Sequence, residues 1–316
     1  LDATIARVKH ERALAWAAFL TICIVWGTTY LAIRVAVRTI PPMLLTCARF
    51  VVAGLILFAF AFLRGEAAPR DRRTLVELIV VGLLMVGIGN FTVVWAEQWV
   101  PSGDAALLVA TAPFWLVLME RMRAEGERID ARRAIGMLVG FIGVALLVTP
   151  GGAGRAFDAH FIIGAITMQF ASIAWQYGTI RAKVNLKDVP PLMSSAFQML
   201  IGGIAIGIIG VAIGEPKRLT FSAEGIGALV YLTVFGSVLA YTAYVYAVRT
   251  MRVTTLSVYA YVNPLVAVIL GWLILSEQLT PISIVAMLTI LGGVAIVQTS
   301  ERRIAGNVVD RRRGGG

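Results

Sequence analysis

The chain has 316 residues, 59% of them hydrophobic and only 15% charged, with a mean hydropathy of +0.83. Soluble domains average about 25% charged residues, so a soluble globular enzyme of this length is excluded, and most of the chain is expected in lipid. The 28 Lys and Arg outnumber the 18 Asp and Glu for a net charge of +10, but the distribution of that charge, taken up below, excludes nucleic acid as the partner.

A bilayer core about 30 Å thick takes roughly 20 apolar residues per helix. In chain order, ten runs are read as spans: 14–33, 42–63, 75–97, 103–120, 133–149, 159–180, 190–213, 222–247, 254–275 and 281–298. Pro41-Pro42, Pro101-Ser102-Gly103 and the stretch from Glu277 to Pro281 mark tight turns between neighbours. The runs lack the alternating ten-residue pattern of a barrel, and lipid leaves no partner for open backbone, so all ten are predicted helices. Arg7, Lys9 and Arg12 precede the first run as in a signal peptide. That run is longer than a signal core and no small-residue cleavage site follows, so it reads as a retained span.

Basic residues sort by side. The N-terminus, the loops after runs 2, 4, 6 and 8, and the C-terminus hold 22 Lys and Arg. The opposite loops hold five, namely Arg34, Arg38, Arg155, Lys217 and Arg218, while Arg49 falls inside the second run. The positive-inside rule then predicts a multi-pass protein of a bacterial-type inner membrane with both termini cytoplasmic. The basic tail over 301–316, ending Arg311-Arg312-Arg313, reads as a lipid-facing anchor.

The halves repeat. W-G-T-T-Y-L-A-I-R-V from Trp26 is echoed by W-Q-Y-G-T-I-R-A-K-V from Trp175, and Pro41-Pro42 by Pro190-Pro191, both at an offset of 149. Arg49 falls opposite Gln198, Pro113 opposite Pro264, and G-V-A-L-L at Gly143 opposite G-V-A-I-V at Gly293. Five spans per copy is an odd number, so the second copy enters from the opposite side. The expected fold is therefore an all-α polytopic membrane protein. Its ten helices form two inverted five-helix repeats, 1–149 and 150–300, around a central cavity, which is a transporter signature.

W-G-T-T-Y-L-A-I-R with the following P-P and A-R-F resembles the opening of an EamA-type carrier of the drug/metabolite transporter superfamily. A-E-Q-W-V-P-S-G-D-A-A-L-L-V-A-T-A-P, N-P-L-V-A-V-I-L-G-W-L-I-L-S-E-Q-L-T and the closing G-G-V fit the same group, so the likeness covers 14–298. The resemblance implies a ten-helix exporter of amino acids and other small metabolites, with a cavity lined mainly by spans 1, 3, 4, 6, 8 and 9.

Candidate residues follow from polarity inside apolar runs. Pro113 and Pro264 each free the carbonyl four residues earlier, at Val109 and Ala260, either for a substrate ammonium or as plain packing kinks. Trp26, Tyr30, Trp175, Tyr244 and Tyr259 are the expected cavity aromatics, suited to apolar or aromatic bodies or to an ammonium. Thr28, Asn90, Gln169, Gln176, Ser257 and Asn263 are the polar groups that could orient a substrate, although helix bridging is their commoner use. Glu97, at the end of the third run, is the coupling candidate, against the reading that it sits idle in the headgroup zone. Arg49 is expected to anchor on helix-end carbonyls, since burying it costs at least about 2.5 kcal/mol.

Other classes fit less well. A carrier of lipophilic cations would want a membrane carboxylate, for which Glu97 alone is available. A membrane-embedded lipid-modifying enzyme would want clustered acids or histidines, whereas Glu66, Asp71, Glu125, Glu127 and Asp130 are diluted by arginines. A channel or scaffold would not need an inverted repeat. His10 and His160 lack zinc spacing, Cys23 and Cys47 lie apart in apolar runs, and P-G-G-A-G at 150–154 lacks the Lys of a phosphate loop. No metal, cofactor or catalytic residue is expected. The G-x-x-x-G pairs Gly136/Gly140 and Gly203/Gly207 are assigned to packing within one chain, a monomer, with a dimer as the alternative.

Overall fold

The computed structural model describes residues 13–121, 131–148, 158–251, 256 and 259–313. In chain order the long helices are α1 (Ala13–Ala36), α2 (Pro42–Leu63), α3 (Arg72–Ala96), α4 (Ser102–Met119), α5 (Ala131–Val148), α6 (Ala159–Asn185), α7 (Pro191–Ala212), α8 (Ala223–Thr250), α9 (Tyr259–Leu275) and α10 (Pro281–Arg313). Among the described residues, α1 to α4, α7 and α8 are long and apolar enough to cross a membrane. His160, Gln169 and Gln176 lower the hydropathy of α6, and the apolar parts of α9 and α10, Val262–Leu275 and Pro281–Val297, are shorter. Exposed Phe62, Leu63, Phe170 and Ile208 on the outer faces are an exterior suited to hydrocarbon.

Helix starts follow from local chemistry. α2 and α7 open on Pro-Pro, with the second proline at the first helical position, where a missing N–H costs nothing. Each runs 22 residues, and the two are 149 residues apart at both ends. The next free N–H groups of α2, on Met43 and Leu44, donate to the Glu215 carboxylate at 3.3 and 2.9 Å. Ser102 and Gly103 at the start of α4 donate likewise to Glu277 at 2.9 and 3.2 Å. Each carboxylate sits at the positive end of a helix dipole, and each belongs to the second half of the chain while capping the first.

Three helices depart from α geometry in mid-course. π turns occupy Ile22–Trp26 in α1, Leu83–Asn90 in α3 and Leu232–Leu239 in α8. The last two are again 149 residues apart at both ends. The sequence reading had the fourth run continuous, but α4 breaks into Ser102–Val109 and Ala112–Arg121 just ahead of Pro113. The proline cannot supply the N–H that would carry the ladder across. α9 keeps Pro264 inside its helix.

α2 packs along α7, and α5 along α10. Gly203 lies against Phe50 and Val51, and Gly207 against the Cys47 sulfur. A Cβ on Gly136 would stand 2.8 Å from the Gly293 carbonyl oxygen, and one on Gly293 would stand 2.5 Å from the Gly136 oxygen. Both small-residue stripes are thus occupied by contacts inside one chain. The buried side chains form two main clusters, one around Ile22, Phe50, Met85 and Tyr241 and the other around Leu108, Phe114, Met168 and Ile290. A cavity opens between them.

Candidate functional site

The cavity has a volume of about 100 Å³. Its walls come from α1, α3, α4, α6, α8 and α9, the six helices that the family resemblance implied, and also from Arg49 of α2. Helix distortions cluster at its level. Trp26, Asn90 and Gly236 each sit in a π turn and each line it, as do Ala110 at the break in α4 and Pro264 in α9. π turns leave backbone groups without their usual i−4 partner and are frequent at functional sites. Here side chains take up the slack. Asn90 Nδ2 donates to Met85 O at 3.3 Å, and the Trp26 indole donates to Gly236 O at 3.2 Å. The Asn263 amide, turned with its nitrogen toward the carbonyls, donates to Cys23 O at 3.0 Å and Tyr259 O at 3.3 Å.

Four of the expected aromatics form one cluster. Trp26 meets Trp175 edge-on at 5.6 Å, Tyr244 at 5.0 Å and Tyr259 at 5.7 Å, while Trp175 and Tyr244 are 5.4 Å apart. Such contacts are each worth about 0.5–1.5 kcal/mol beyond burial. Trp26, Trp175 and Tyr259 line the cavity, whereas Tyr244 stands behind them, its hydroxyl held by the Trp175 indole at 3.2 Å and Thr179 at 3.0 Å. Tyr244 and Thr179 both lie six residues before the ends of their helices, so the rings close the cavity toward that end of the bundle. Tyr30 lines the cavity apart from this cluster.

Several candidates are placed elsewhere. Gln169 spends its amide on the break in α4: its Oε1 accepts from Thr111 Oγ1 at 2.8 Å and Trp115 Nε1 at 2.9 Å, and its Nε2 donates to Leu108 O at 3.1 Å. It braces α4 against α6 and does not line the cavity. The Thr28 hydroxyl bonds to Val25 O and the Tyr231 hydroxyl, tying α1 to α8. Gln176 is buried away from the cavity, Val109 lines it while Pro113 does not, and Ser257 lies outside the described residues.

Two ionisable residues differ from their sequence reading. Glu97 is fully buried, so it is not in a headgroup zone, and neither carboxylate oxygen has a hydrogen-bond partner. Its backbone carbonyl accepts from Arg34 Nη1, which holds the end of α3 against α1. Arg49 does not anchor on helix-end carbonyls. Its Nε donates to Ser237 Oγ at 2.7 Å, its guanidinium lies 4.6 Å from the Phe50 ring centroid, and it faces the cavity. Sequence reasoning left Arg49 out of the site because Ser237, its partner, is 188 residues away. The signal was there in its unmatched charge inside an apolar run.

The EamA-like transporter family matches residues 13–149 and again 162–299. The chain belongs to this family. The inner membrane transporter YedA of Escherichia coli strain K12 is 35% identical over 282 residues, covering 89% of both chains. The transporter YoaV of Bacillus subtilis is 21% identical over 276 residues, covering 87% of this chain and 93% of its own. A chloroplastic WAT1-related protein of Arabidopsis thaliana is 25% identical over 294 residues, covering 91% of this chain and 70% of its own. A solved crystal structure shares the fold, with a TM-score of 0.68 at 23% identity, over 92% of this chain and 98% of that one. The two family matches start 149 residues apart, the same spacing as α2 to α7 and as the paired π turns.

Proposed function

We propose that this chain is a secondary transporter of the bacterial inner membrane that exports small metabolites, amino acids foremost, by alternating access between two inverted five-helix halves. The observation that carries the reading is the cavity between the two cores, walled by helices of both halves and faced with ring surfaces and a few polar groups. Its volume of about 100 Å³ is well below the roughly 300–1,000 Å³ of drug-sized ligand pockets, which favours a small metabolite over a bulky lipophilic cation. The carboxylate that a cation carrier would use, Glu97, does not line it, and a guanidinium does. Alternating access draws support from the matched elements. α2 and α7 share one length and offset, as do the π turns of α3 and α8, and repeat-related helices α2/α7 and α5/α10 pack against each other. The odd number of spans per half then makes the two halves exchange roles across the membrane.

Both termini on the cytoplasmic side and a monomeric chain complete the proposal, with Glu97 as the coupling group. Purified protein in liposomes, given a panel of labelled amino acids with and without a pH gradient, tests it. Movement of one or more amino acids is the expected result. Transport of cationic dyes with no amino acid moved would overturn the reading.

A further inference from the structure

The cavity is short of free donors. The hydroxyls of Thr29 and Ser172 are spent on Trp26 O and Met168 O, the amides of Asn90 and Asn263 on backbone carbonyls, and the indoles of Trp26 and Trp175 on Gly236 O and the Tyr244 hydroxyl. Arg49 is the exception. It is 3% exposed and lines the cavity, yet its Nη1 has no hydrogen-bond partner. The rest of the group is fixed. Nε is held by Ser237, and a Cβ on Gly236 would come within 3.0 Å of Nη2, so glycine there lets α8 press against the guanidinium. Glu97 is near enough for its charge to act on Arg49, but its oxygens take no hydrogen bond, so it balances the charge without filling the donor. A buried, rigid guanidinium with an open N–H is built to receive an oxyanion.

The geometry points to Arg49 as the anion-binding group of the cavity. Nη1 receives the carboxylate of the transported molecule, whose apolar or aromatic body lies on the faces of Trp26, Trp175 and Tyr259. The substrate class is thus narrowed to compact carboxylates with an apolar body, with or without an amine. This rests on the export reading and deepens it, since it says which end of an amino acid is recognised by charge.

The test uses the full-length protein in lipid nanodiscs, with tryptophan fluorescence as the binding signal, because Trp26 and Trp175 face the site. The probes are L-phenylalanine, 3-phenylpropionate, L-phenylalaninamide and 2-phenylethylamine, which add or remove carboxylate and amine separately. The two acids are expected to bind roughly 10–100-fold more tightly than the two probes without a carboxylate. Arg49→Gln should abolish that preference, and Arg49→Lys should restore part of it. Equal binding of acids and amines by the unaltered protein overturns the inference even if Arg49→Gln does not fold. An undiminished preference for acids in Arg49→Gln overturns it as well. Binding of 3-phenylpropionate that needs Arg49, with no amino acid bound or transported, sinks the amino-acid reading and leaves the anion site standing. Binding of neither acid overturns both.

Discussion

Replacing Gln169 by leucine separates a brace from a substrate ligand. The side chain keeps its approximate size but loses three hydrogen bonds, from Thr111 Oγ1, from Trp115 Nε1 and to Leu108 O. Measured side-chain hydrogen bonds inside membrane proteins average about 0.6 kcal/mol each, so Gln169→Leu should cost about 2 kcal/mol. SDS titration of the purified protein in mixed micelles, followed by far-UV circular dichroism, reads that loss directly. Trp115→Phe removes one of the three bonds and should cost about a third as much. Combined with Gln169→Leu it should add nothing through that bond, because the partner is already gone. Substrate affinity should change little in either variant, since Gln169 does not line the cavity. Unchanged stability with lost binding would refute the brace and return Gln169 to the substrate site.

Three further outcomes follow from particular contacts. Glu97→Gln should remove the pH-driven part of transport in liposomes while leaving facilitated exchange, and an unchanged response to a pH gradient would exclude the fully buried Glu97 as the coupling group. Gly293→Ala should push α10 off α5, because the new methyl group would meet the Gly136 carbonyl oxygen at 2.5 Å. A cost of about 1–3 kcal/mol in the same SDS titration is expected, and wild-type stability would show that the helices can separate freely. At the start of α3, the Asp71 carboxylate accepts from Thr74 N–H at 2.8 Å, which holds Asp71 below the usual carboxylate range. A lowered folded value means that the cap is in force above the ordinary carboxylate range and is lost as pH falls through the lowered value. Hydrogen exchange at the Thr74 amide, corrected for the intrinsic rate, should therefore become less protected only on strong acidification, and Asp71→Asn should remove that dependence.

What the sequence shows clearly is whatever recurs or has a composition. Proline pairs gave the starts of α2 and α7 to the residue, because proline constrains its own backbone angle and needs no donor at a helix start. The offset of 149 paired Trp26 with Trp175 long before their rings could be seen 5.6 Å apart. Side-chain partnerships across distant helices are less visible. Gln169 reads as an open polar group until α4 supplies three partners for it, and Arg49 reads as a helix-end anchor until α8 supplies Ser237. The burial of Glu97 depends on how the turn after α3 folds inward: Val100, three residues on, packs against Gly164 of α6. The π turns are the hardest to foresee. They have no composition of their own, and the residues that form them, such as Leu-Leu-Met-Val-Gly-Ile-Gly-Asn over 83–90, would serve equally well in an α-helix.

Those π turns also hold a record of descent. A turn closed from i to i+5 houses one residue more than an α turn, so each marks a place where the chain grew without losing its helix. Leu83–Asn90 and Leu232–Leu239 stand at the same place in the two family-matched segments. The extra residue was therefore already present in the ancestral unit when that unit was copied. Ile22–Trp26 has no such twin, because the corresponding stretch of α6, residues 171–175, is regular helix. That difference arose after the copying, and it marks α1 and α6 as the pair in which the two descendants have since gone separate ways.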